Sequence, residues 1–358
     1  MMKNNAPKNV LIAPLNWGLG HATRCIPIIK ALHEYGHIPI IASDGIALDL
    51  LRKEFPYLKM LELPSYQIEY AKKGKHFKWK LLKSLPKMTA AVLKEKKIVE
   101  RWITEHDIDG IISDNRLGVH SKKVPSVFIT HQLNVMTGNT TWITSKIHQY
   151  IIKKFTCCWI PDFEGIPNLA GDLSHTRSKK LNLKYIGPLS RMHKKTVDDK
   201  YQLMIILSGP EPQRTLLEER LKGEIVSYPH PLLFVKGIIE KEQKKEQIHN
   251  TTYYNYMNSK QLERAFNESS LVLCRSGYTS IMDLAELEKK AFFIPTPGQY
   301  EQLYLAEKLE REGIAPYALQ DEFKIENLAE EKSYTGLTTS KDKKNWKELF
   351  EIFKRLEQ

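Results

Sequence analysis

The stretch LVLCRSGYTSIMDLAELEKKAFFIPTPGQYEQLYLAEKLEREGIA, residues 271–315, decides the fold class of this chain. Its apolar run 271–274 predicts a strand, and a short turn then leads into a helix that begins near Thr279. A second apolar run, 292–295, and a second helix over 300–311 follow. Short apolar strands that alternate with helices are typical of a parallel sheet with helices on its faces.

The same alternation runs through the rest of the chain. In the first half we predict strands at VLIAPL (10–15), IPIIAS (38–43), GIIS (110–113), VPSVFIT (124–130) and CCWIP (157–161), with helices over 21–35, 46–53 and 141–154. In the second half we predict strands at YQLMIILSG (201–209), IVSYP (225–229) and LLFVKGII (232–239), with a helix over 259–268. The charged stretch 186–200 has no apolar periodicity and reads as a linker. We therefore expect an α/β protein with two Rossmann-like, doubly wound domains facing a cleft, over 1–190 and 191–342, and a C-terminal helix over 343–358 that crosses back to the first.

Composition indicates a soluble globular protein. The chain has 358 residues, 42% hydrophobic and 27% charged, and no apolar stretch approaches the ~18 residues of a membrane-spanning helix. The first apolar run is too short, and lacks a cleavage pattern, for a signal peptide. The four cysteines (Cys25, Cys157, Cys158 and Cys274) form no CxxC pair, so we expect reduced thiols and a cytoplasmic location.

The net charge of +12 suggests a nucleic acid, an anionic membrane or a phosphorylated substrate as partner. Ten lysines and one glutamate fall between Tyr70 and Lys97, with an apolar stripe at helical spacing: Phe77, Leu81, Leu85, Met88 and Val92. Pro86 is expected to kink or interrupt this helix. Two interpretations stay open: a solvated helix that packs its stripe on the core, or a basic segment, with Trp79 at the interface, resting on the inner face of the plasma membrane.

A glycine-rich turn with a histidine, APLNWGLGHATR (13–24), follows the first predicted strand. Gly18 and Gly20 match two glycines of a dinucleotide-binding fingerprint, and Asp44 matches its acid, but Thr23 stands at the third glycine. A nicotinamide or flavin enzyme is therefore an alternative. The simplest interpretation of His21 is a helix-start residue bonded locally.

The second glycine turn predicts an anion site. Arg275, Ser276 and Gly277 lead into a helix that opens with hydroxyl side chains, and free N–H groups at a helix start bind phosphate. Asp283 could accept both hydroxyls of a ribose, and Gln302, near the next helix start, could reach a sugar hydroxyl.

Residues 271–315 contain three features in order: CRSG before a helix that carries an acid, a strand that ends in IP, and a helix with Gln and Ala before GIA. In these features the stretch resembles the family of the UDP-N-acetylglucosamine transferase that forms lipid II, within the two-domain GT-B glycosyltransferases. The resemblance implies that Thr279 and Ser280 bind the donor diphosphate, Asp283 the ribose and Gln302 the sugar. Leu303 stands where the family has a second glutamine. Other residues assigned to the donor side are Ser208, Gly209, Arg214, Met257, Arg275, Ser276 and Gly277. Arg214 is expected to replace phosphate-binding N–H groups that Pro210 and Pro212 remove.

The first half is similar to the family in three places. GLGH implies that His21 is the base, or positions the acceptor. The segment ITHQLNVMTGN (129–139) offers His131 and Asn134, and YIGP (185–188) resembles the end of the first domain. The acceptor-side residues are thus Gly18, Gly20, His131 and Asn134.

We expect chemistry without a metal or cofactor. The one Asp-x-Asp match, Asp107-Ile-Asp109, precedes a strand and reads as structural, and Arg275 occupies the first acid position of retaining enzymes. These features predict an inverting, metal-independent glycosyltransferase with His21 as base and Asp114 as its backup. Its donor would be UDP-linked, such as UDP-N-acetylglucosamine, and its hydroxyl acceptor a lipid-linked or cell-envelope glycan.

The alternatives are a sugar-nucleotide epimerase on the same fold and a basic nucleic-acid-binding protein. The latter would interleave aromatic residues with its lysines. Because the lysine run adds only Phe77 and Trp79 with a helical period, no nucleic acid is expected.

Overall fold

The computed structural model describes residues 6–66, 77–136, 141–176, 178, 180–209, 211–238, 240–339 and 344–354, apart from the side chains of 77–85. The described residues form two compact units. The first contains 6–66, 79–189 and 344–354, and the second contains 190–339.

The first unit is built on a parallel sheet. Its strands are β1 (Asn9–Pro14), β2 (Ile38–Ser43), β3 (Lys59–Glu62), β4 (Gly110–Asp114), β5 (Ser126–Ile129), β6 (Cys157–Ile160) and β7 (Leu183–Tyr185). They lie in the order β3-β2-β1-β4-β5-β6-β7, and every pair is parallel. Continuous apolar runs such as Val10-Leu11-Ile12 are buried throughout, as expected for internal parallel strands.

Four helices of the first part of the chain are α1 (Gly20–Glu34), α2 (Gly45–Glu54), α3 (Phe77–Glu105) and α4 (Thr141–Ile152). Of the two effects expected of Pro86, a kink or an interruption, the structure does not show the interruption, because α3 is continuous through this residue. Val99 and Trp102, further along α3, are buried in the core. Met88 and Val92 pack on a small apolar cluster. The side chains of Lys78, Trp79, Lys80 and Lys83 lie outside the described residues.

The second unit has a second sheet. Its strands are β8 (Tyr201–Ile206), β9 (Leu232–Val235), β10 (Lys245–Ile248), β11 (Thr251–Tyr254), β12 (Ser269–Cys274) and β13 (Lys290–Phe293). Their order is β10-β11-β9-β8-β12-β13, with only the β10–β11 pair of these strands antiparallel. The α/β prediction of two mainly parallel sheets is therefore confirmed.

The helices of the second unit are α5 (Gln213–Glu224), α6 (Ser259–Asn267), α7 (Tyr278–Glu286) and α8 (Tyr300–Arg311). The strand predicted at 225–229 is wrong, since Ile225–Ser227 forms a short 3-10 turn after α5. Leu217, Leu221 and Ile225 recur every four residues and continue the buried face of the helix.

The last described residues pack on the first unit. Helix α9 (Trp346–Phe350) brings Phe350 to 6.0 Å from the Tyr35 ring. Phe353 lies so close to Gly110 of β4 that a methyl group there would fall 2.2 Å from its ring. Within the described ranges, no helix combines the length and the apolar character needed to cross a bilayer.

Each sheet has one point where the strand order reverses direction, and each glycine turn lies there. In the first sheet β1 lies between β2 and β4, with Pro14 opposite Asp114. In the second, β8 lies between β9 and β12, with Ile206 opposite Cys274. Ligands of open α/β sheets bind at the carboxyl ends of strands at such points.

Candidate active site

A cluster of four polar side chains lies at the reversal point of the first sheet. Asp114 ends β4, and His21 and Arg24 share one face of the first turn of α1. His21 Nδ1 lies 2.8 Å from Asp114 Oδ1, and Arg24 Nε donates to Asp114 Oδ2 over 2.6 Å. A second Arg24 nitrogen, Nη2, also donates to Asp114 Oδ1. His131, two residues beyond β5, has Nδ1 3.2 Å from Arg24 Nη1.

The charges in this cluster fix how its groups are protonated. Burial alone would raise the pKa of Asp114, but Arg24 and His21 hold that pKa well below its usual range. Burial lowers the pKa of His21, and the Arg24 charge adds to this effect against the opposing pull of Asp114. His21 Nδ1 has two neighbours, the ionised Asp114, which can only accept, and Arg24 Nη2 at 2.9 Å, which can only donate. We assign the proton of a neutral His21 to Nδ1, where it faces the carboxylate. Its Nε2 is then left with a lone pair.

The exposure of these side chains separates their roles. The His21 side chain keeps 15% of its surface exposed, whereas that of Asp114 is 0% exposed. Asp114 therefore cannot meet a substrate hydroxyl, which corrects its predicted role as backup base. Its position is instead that of the group that orients His21.

The loop between β1 and α1, which precedes His21, is bonded to the rest of the first unit through Asn16. Gly18 has φ +75°, a left-handed conformation that glycine adopts without strain. Asn16 Nδ2 donates to Asp44 Oδ2 over 3.1 Å, and Asp44 also pairs with the buried Arg116. Both carboxylate oxygens of Asp44 are thus bonded to other side chains of the protein. The dinucleotide-binding alternative requires an acid that is free to bind a ribose, and Asp44 is not.

Asn134 does not join the cluster. Its side-chain amide donates to the carbonyls of Asp172 and His175, at 2.6 and 2.8 Å, and so anchors a loop. Arg24, by contrast, was not assigned a role from the sequence. One signal was available, because it lies three residues after His21 and so on the same helical face.

At the reversal point of the second sheet, buried side chains of the turn after β12 hold its conformation through hydrogen bonds. Arg275 is 1% exposed, and its guanidinium donates to three backbone carbonyls and to Gln320 Oε1. Burial lowers its pKa to about 10. The buried Ser276 donates to the carbonyl of Gln302 over 2.8 Å. These two side chains shape the turn, which corrects the expectation that they contact the donor.

Beyond that turn, α7 offers a polar surface. Gly277 is its N-cap residue, and Thr279 and Ser280 are partly exposed in its first turn. Ser280 and Asp283 line a small pocket together with Ser208, from the end of β8. The pocket also contains apolar side chains, from Ile206, Leu262, Phe266 and others.

Asp283 is the titratable carboxylate of this pocket. Ser190 Oγ donates to its Oδ1 over 2.6 Å. Burial raises the pKa of Asp283 to about 6, against the opposite effects of Ser190 and Arg191. A carboxylate in this environment gains from further hydroxyl donors, which a ribose would supply.

The remaining donor-side candidates fall into two groups. Ser208 and Gly209 are exposed after β8, and Met257 is partly buried just before α6. Arg214 is buried, pairs with Glu211 and Glu218 and donates to the carbonyl of Lys236. Its charge is satisfied within the protein, so the predicted phosphate contact is not supported.

Gln302 is held by its own neighbourhood. Its Oε1 accepts from Thr296 N over 2.8 Å, and its Nε2 donates to Gln299 Oε1 over 2.7 Å.

The Asp-x-Asp match at 107–109 has a structural contact, because Asp109 Oδ2 accepts from Asn9 N at the start of β1. Across the described ranges, no group of three His, Cys, Asp or Glu side chains is arranged to hold a metal ion.

The chain is similar to known glycosyltransferases. Residues 218–351 match the model of the glycosyltransferase family 28 C-terminal domain. A relative from Haemophilus ducreyi, the UDP-N-acetylglucosamine--N-acetylmuramyl-(pentapeptide) pyrophosphoryl-undecaprenol N-acetylglucosamine transferase, is 22% identical over 219 residues. That match covers 59% of this chain and 58% of the relative, which is less than two thirds of the relative's length.

Two solved structures have the same fold. The glycotransferase of kitacinnamycin is 13% identical with a TM-score of 0.62, and the match covers 90% of this chain and 89% of that one. Acinetobacter baumannii MurG is 16% identical with a TM-score of 0.53 and the same coverage. The resemblance inferred from residues 271–315 is thereby confirmed: the chain is similar to the MurG-like transferases and has the GT-B fold.

Proposed function

We propose that the protein is an inverting, metal-independent glycosyltransferase that moves a sugar from a UDP-linked donor to a hydroxyl acceptor. The observation that carries this proposal is the 2.8 Å contact between His21 Nδ1 and the buried Asp114, at the reversal point of a sheet. The family 28 match of residues 218–351 supports nucleotide-sugar transfer as the reaction class.

In the proposed reaction His21 acts as general base. Its Nε2 takes the proton of the acceptor hydroxyl while the acceptor oxygen attacks the anomeric carbon of the donor. Asp114 holds the Nδ1 proton and stabilises the imidazolium that forms, as the acid of a catalytic triad does. The bond between the anomeric carbon and the diphosphate breaks, and UDP leaves with the electron pair. One displacement at that carbon inverts its configuration.

We assign donor binding to the second unit. The first-turn N–H groups of α7, with Thr279 and Ser280, would receive the diphosphate, since helix N-termini stabilise developing negative charge. Asp283 would accept from the ribose hydroxyls, with Ser208 and Gly209 beside it and Met257 against the base. The solved structure of LpCGTa in complex with UDP also has this fold, at 11% identity and a TM-score of 0.60.

We assign the acceptor to the first unit, with Gly18 and Gly20 allowing close approach and His131 supporting Arg24. N-acetylglucosamine as the donor sugar, and a lipid-linked glycan as the acceptor, follow the printed name of the Haemophilus ducreyi relative. Such an acceptor would bring the protein to the cytoplasmic face of the plasma membrane.

A donor panel tests the proposed function. Purified protein is incubated with UDP-N-acetylglucosamine, UDP-glucose, GDP-mannose and dTDP-glucose and with extracted cell-envelope lipids, and release of the nucleotide diphosphate is measured. We expect release from one UDP-sugar, dependent on the lipid extract and unchanged by EDTA. Release that EDTA abolishes contradicts the metal-independent mechanism, and nucleotide-sugar epimerisation without release supports the epimerase alternative.

A further inference from the structure

The loop between β1 and α1, residues 15–19, leads directly to His21. The N-cap residue of α1 is Leu19, whose apolar side chain cannot accept a hydrogen bond from the N–H groups of the first turn. At the other end of the loop, Leu15 N donates to the carbonyl of Asp114 over 2.9 Å. The 15–19 loop therefore connects the end of β4 to the imidazole that faces it, and its conformation contributes directly to where that imidazole lies.

A half-buried asparagine, Asn16, attaches the 15–19 loop to the start of helix α2. Its Oδ1 accepts from Ala47 N over 3.3 Å, and its Nδ2 donates to Asp44 Oδ2 over 3.1 Å. The carboxamide lies so close to Gly45 that a methyl group added there would fall 2.5 Å from Asn16 Nδ2. Both ends of the carboxamide are thus bonded, and it is packed against the backbone of the helix start.

Asp44 does not play the role that its position predicts. It is the N-cap residue of α2, and an aspartate there ordinarily accepts from an N–H group of its own first turn. Its oxygens bond instead to the side chains of Asn16 and Arg116, and Asn16 accepts the N–H of Ala47 in its place. The usual local cap is therefore replaced by a long-range link between α2 and the 15–19 loop.

Arg116 connects this link to the interior of the first unit. It is 0% exposed, and its Nε donates to the carbonyl of Pro14, the residue before the loop, over 3.1 Å. Its Nη2 pairs with Asp44, and its Nη1 donates to Glu95 Oε1 over 2.6 Å. Because the donors of a guanidinium diverge in a fixed plane, one side chain sets the start of the loop and the partner of Asn16 relative to each other.

Glu95 completes the network from α3. Its side chain is 0% exposed, and its Oε2 accepts from Tyr66 Oη over 2.7 Å and from Gly118 N over 3.2 Å. Burial raises the pKa of Glu95, and the Arg116 charge opposes that rise. A buried ion pair with these additional hydrogen bonds is costly to break. The group to which Asn16 is attached is therefore rigid.

We propose that Asn16 is a positioning residue of the transfer reaction. Through its contacts with this network it fixes the loop between β1 and α1, and so the place at which His21 Nε2 meets the acceptor hydroxyl. The proposal rests on the proposed function, which makes His21 the base. A base displaced by about 1 Å can cost on the order of 10²-fold in rate. Donor binding, which we assign to the second unit, does not depend on this loop.

Asn16→Ala is compared with Asn9→Ala, a matched control at the opposite end of β1. Asn9 is also half-buried, and its Nδ2 donates to the carbonyls of His106 and Asp107, at 3.3 and 3.0 Å. The midpoints of thermal unfolding of the two variants should lie within about 3 °C of each other. In the donor-panel assay we expect kcat to fall on the order of 10–100-fold in Asn16→Ala and to stay unchanged in Asn9→Ala. Affinity for UDP should stay within about twofold of wild type in both.

An exchange of side chains separates positioning from a simple loss of packing. Asn16→Asp alone places two carboxylates next to each other and should lower kcat at least as much as Asn16→Ala. Adding Asp44→Asn restores an amide-to-carboxylate hydrogen bond between the two positions, and the new carboxylate can still accept from Ala47 N. We expect the double variant to regain about 10-fold in kcat over Asn16→Asp. A double variant that is no better than Asn16→Asp overturns the proposal.

The modification of His21 by diethyl pyrocarbonate, followed by mass spectrometry of its peptide, needs no substrate. The side chain is 15% exposed, and release of the loop in Asn16→Ala should speed its modification. We expect a rate about fivefold higher than in wild type, and an unchanged rate in Asn9→Ala. If the wild type transfers no sugar, the proposed function fails, and these rates alone then decide whether Asn16 positions His21. An Asn16→Ala protein with the wild-type kcat and modification rate, or an equal loss of kcat in Asn9→Ala, overturns the proposal.

Discussion

Replacing Asp114 by Asn tests the electrostatic core of the candidate active site. The substitution keeps the shape of the side chain but removes the charge that the buried Arg24 and His21 face, at 0% exposure of the carboxylate. Removing one partner of a buried ion pair typically costs 3–5 kcal/mol. For a unit of this size that lowers the midpoint of thermal unfolding by about 6–20 °C.

The stability difference between wild type and Asp114→Asn should also depend on pH in a definite direction. Because the pKa of Asp114 is lowered in the folded protein, its stabilisation is present above the unfolded pKa of about 3.9 and is lost as pH falls towards the folded value. The difference in free energy of unfolding between wild type and Asp114→Asn should therefore be constant from about pH 5 to pH 8 and shrink below about pH 4. Urea unfolding at several pH values measures it.

The double variant Arg24→Met with Asp114→Asn is the matched control. It removes both charges, so much of the lost stability should return, whereas turnover should stay low because His21 has lost its orienting partner. An Asp114→Asn protein within about 1 kcal/mol of wild type at pH 7, or a double variant less stable than the single one, refutes the reasoning.

Two further predictions concern the donor pocket and the chain end. Since the pKa of Asp283 is raised to about 6 and ribose hydroxyls favour the ionised form, affinity for a UDP-sugar should fall about 10-fold from pH 7 to pH 5, and calorimetry should show no such fall for Asp283→Asn. Gly110→Ala should destabilise the first unit by about 1–3 kcal/mol in urea unfolding, because the new methyl group meets the Phe353 ring. Gly223→Ala, in a helix with no atom within 4 Å of the added group, should be neutral or stabilising.

The sequence predicted most of the elements and the two glycine turns because those are local properties. Apolar runs such as Val10-Leu11-Ile12 identify buried parallel strands, and strand-turn-helix units place His21 and the start of α7 at strand ends. Asp114, at the end of a short apolar run, could be found in the same way. The predictions failed at short elements. The strands β3, β7, β10 and β11 have three or four residues each and were not predicted, and the predicted strand at 225–229 contains a 3-10 turn.

The partners of the site residues could not be predicted from the sequence. Arg24 and Asp114 are 90 positions apart, and Ser190 and Asp283 are 93 apart. Their pairing depends on strand order, which no local pattern encodes. For the same reason the sequence alone predicts Arg275 to be a cation for the donor, although long-range hydrogen bonds hold it buried in the turn.

The central claim is that His21 is the base, and one protein tests it most directly. We expect His21→Ala, with an unchanged circular dichroism spectrum, to lose 10²–10⁴-fold in turnover while its affinity for the UDP-sugar stays within about twofold of wild type. Because burial lowers the pKa of His21, wild-type turnover should fall on the acid side below about pH 6.5, and the variant should lack that limb. Turnover is measured with the UDP-sugar saturating at every pH, so that the titration of Asp283 does not enter it. Near-normal turnover by His21→Ala, or an acid limb that persists in it under these conditions, would contradict the account.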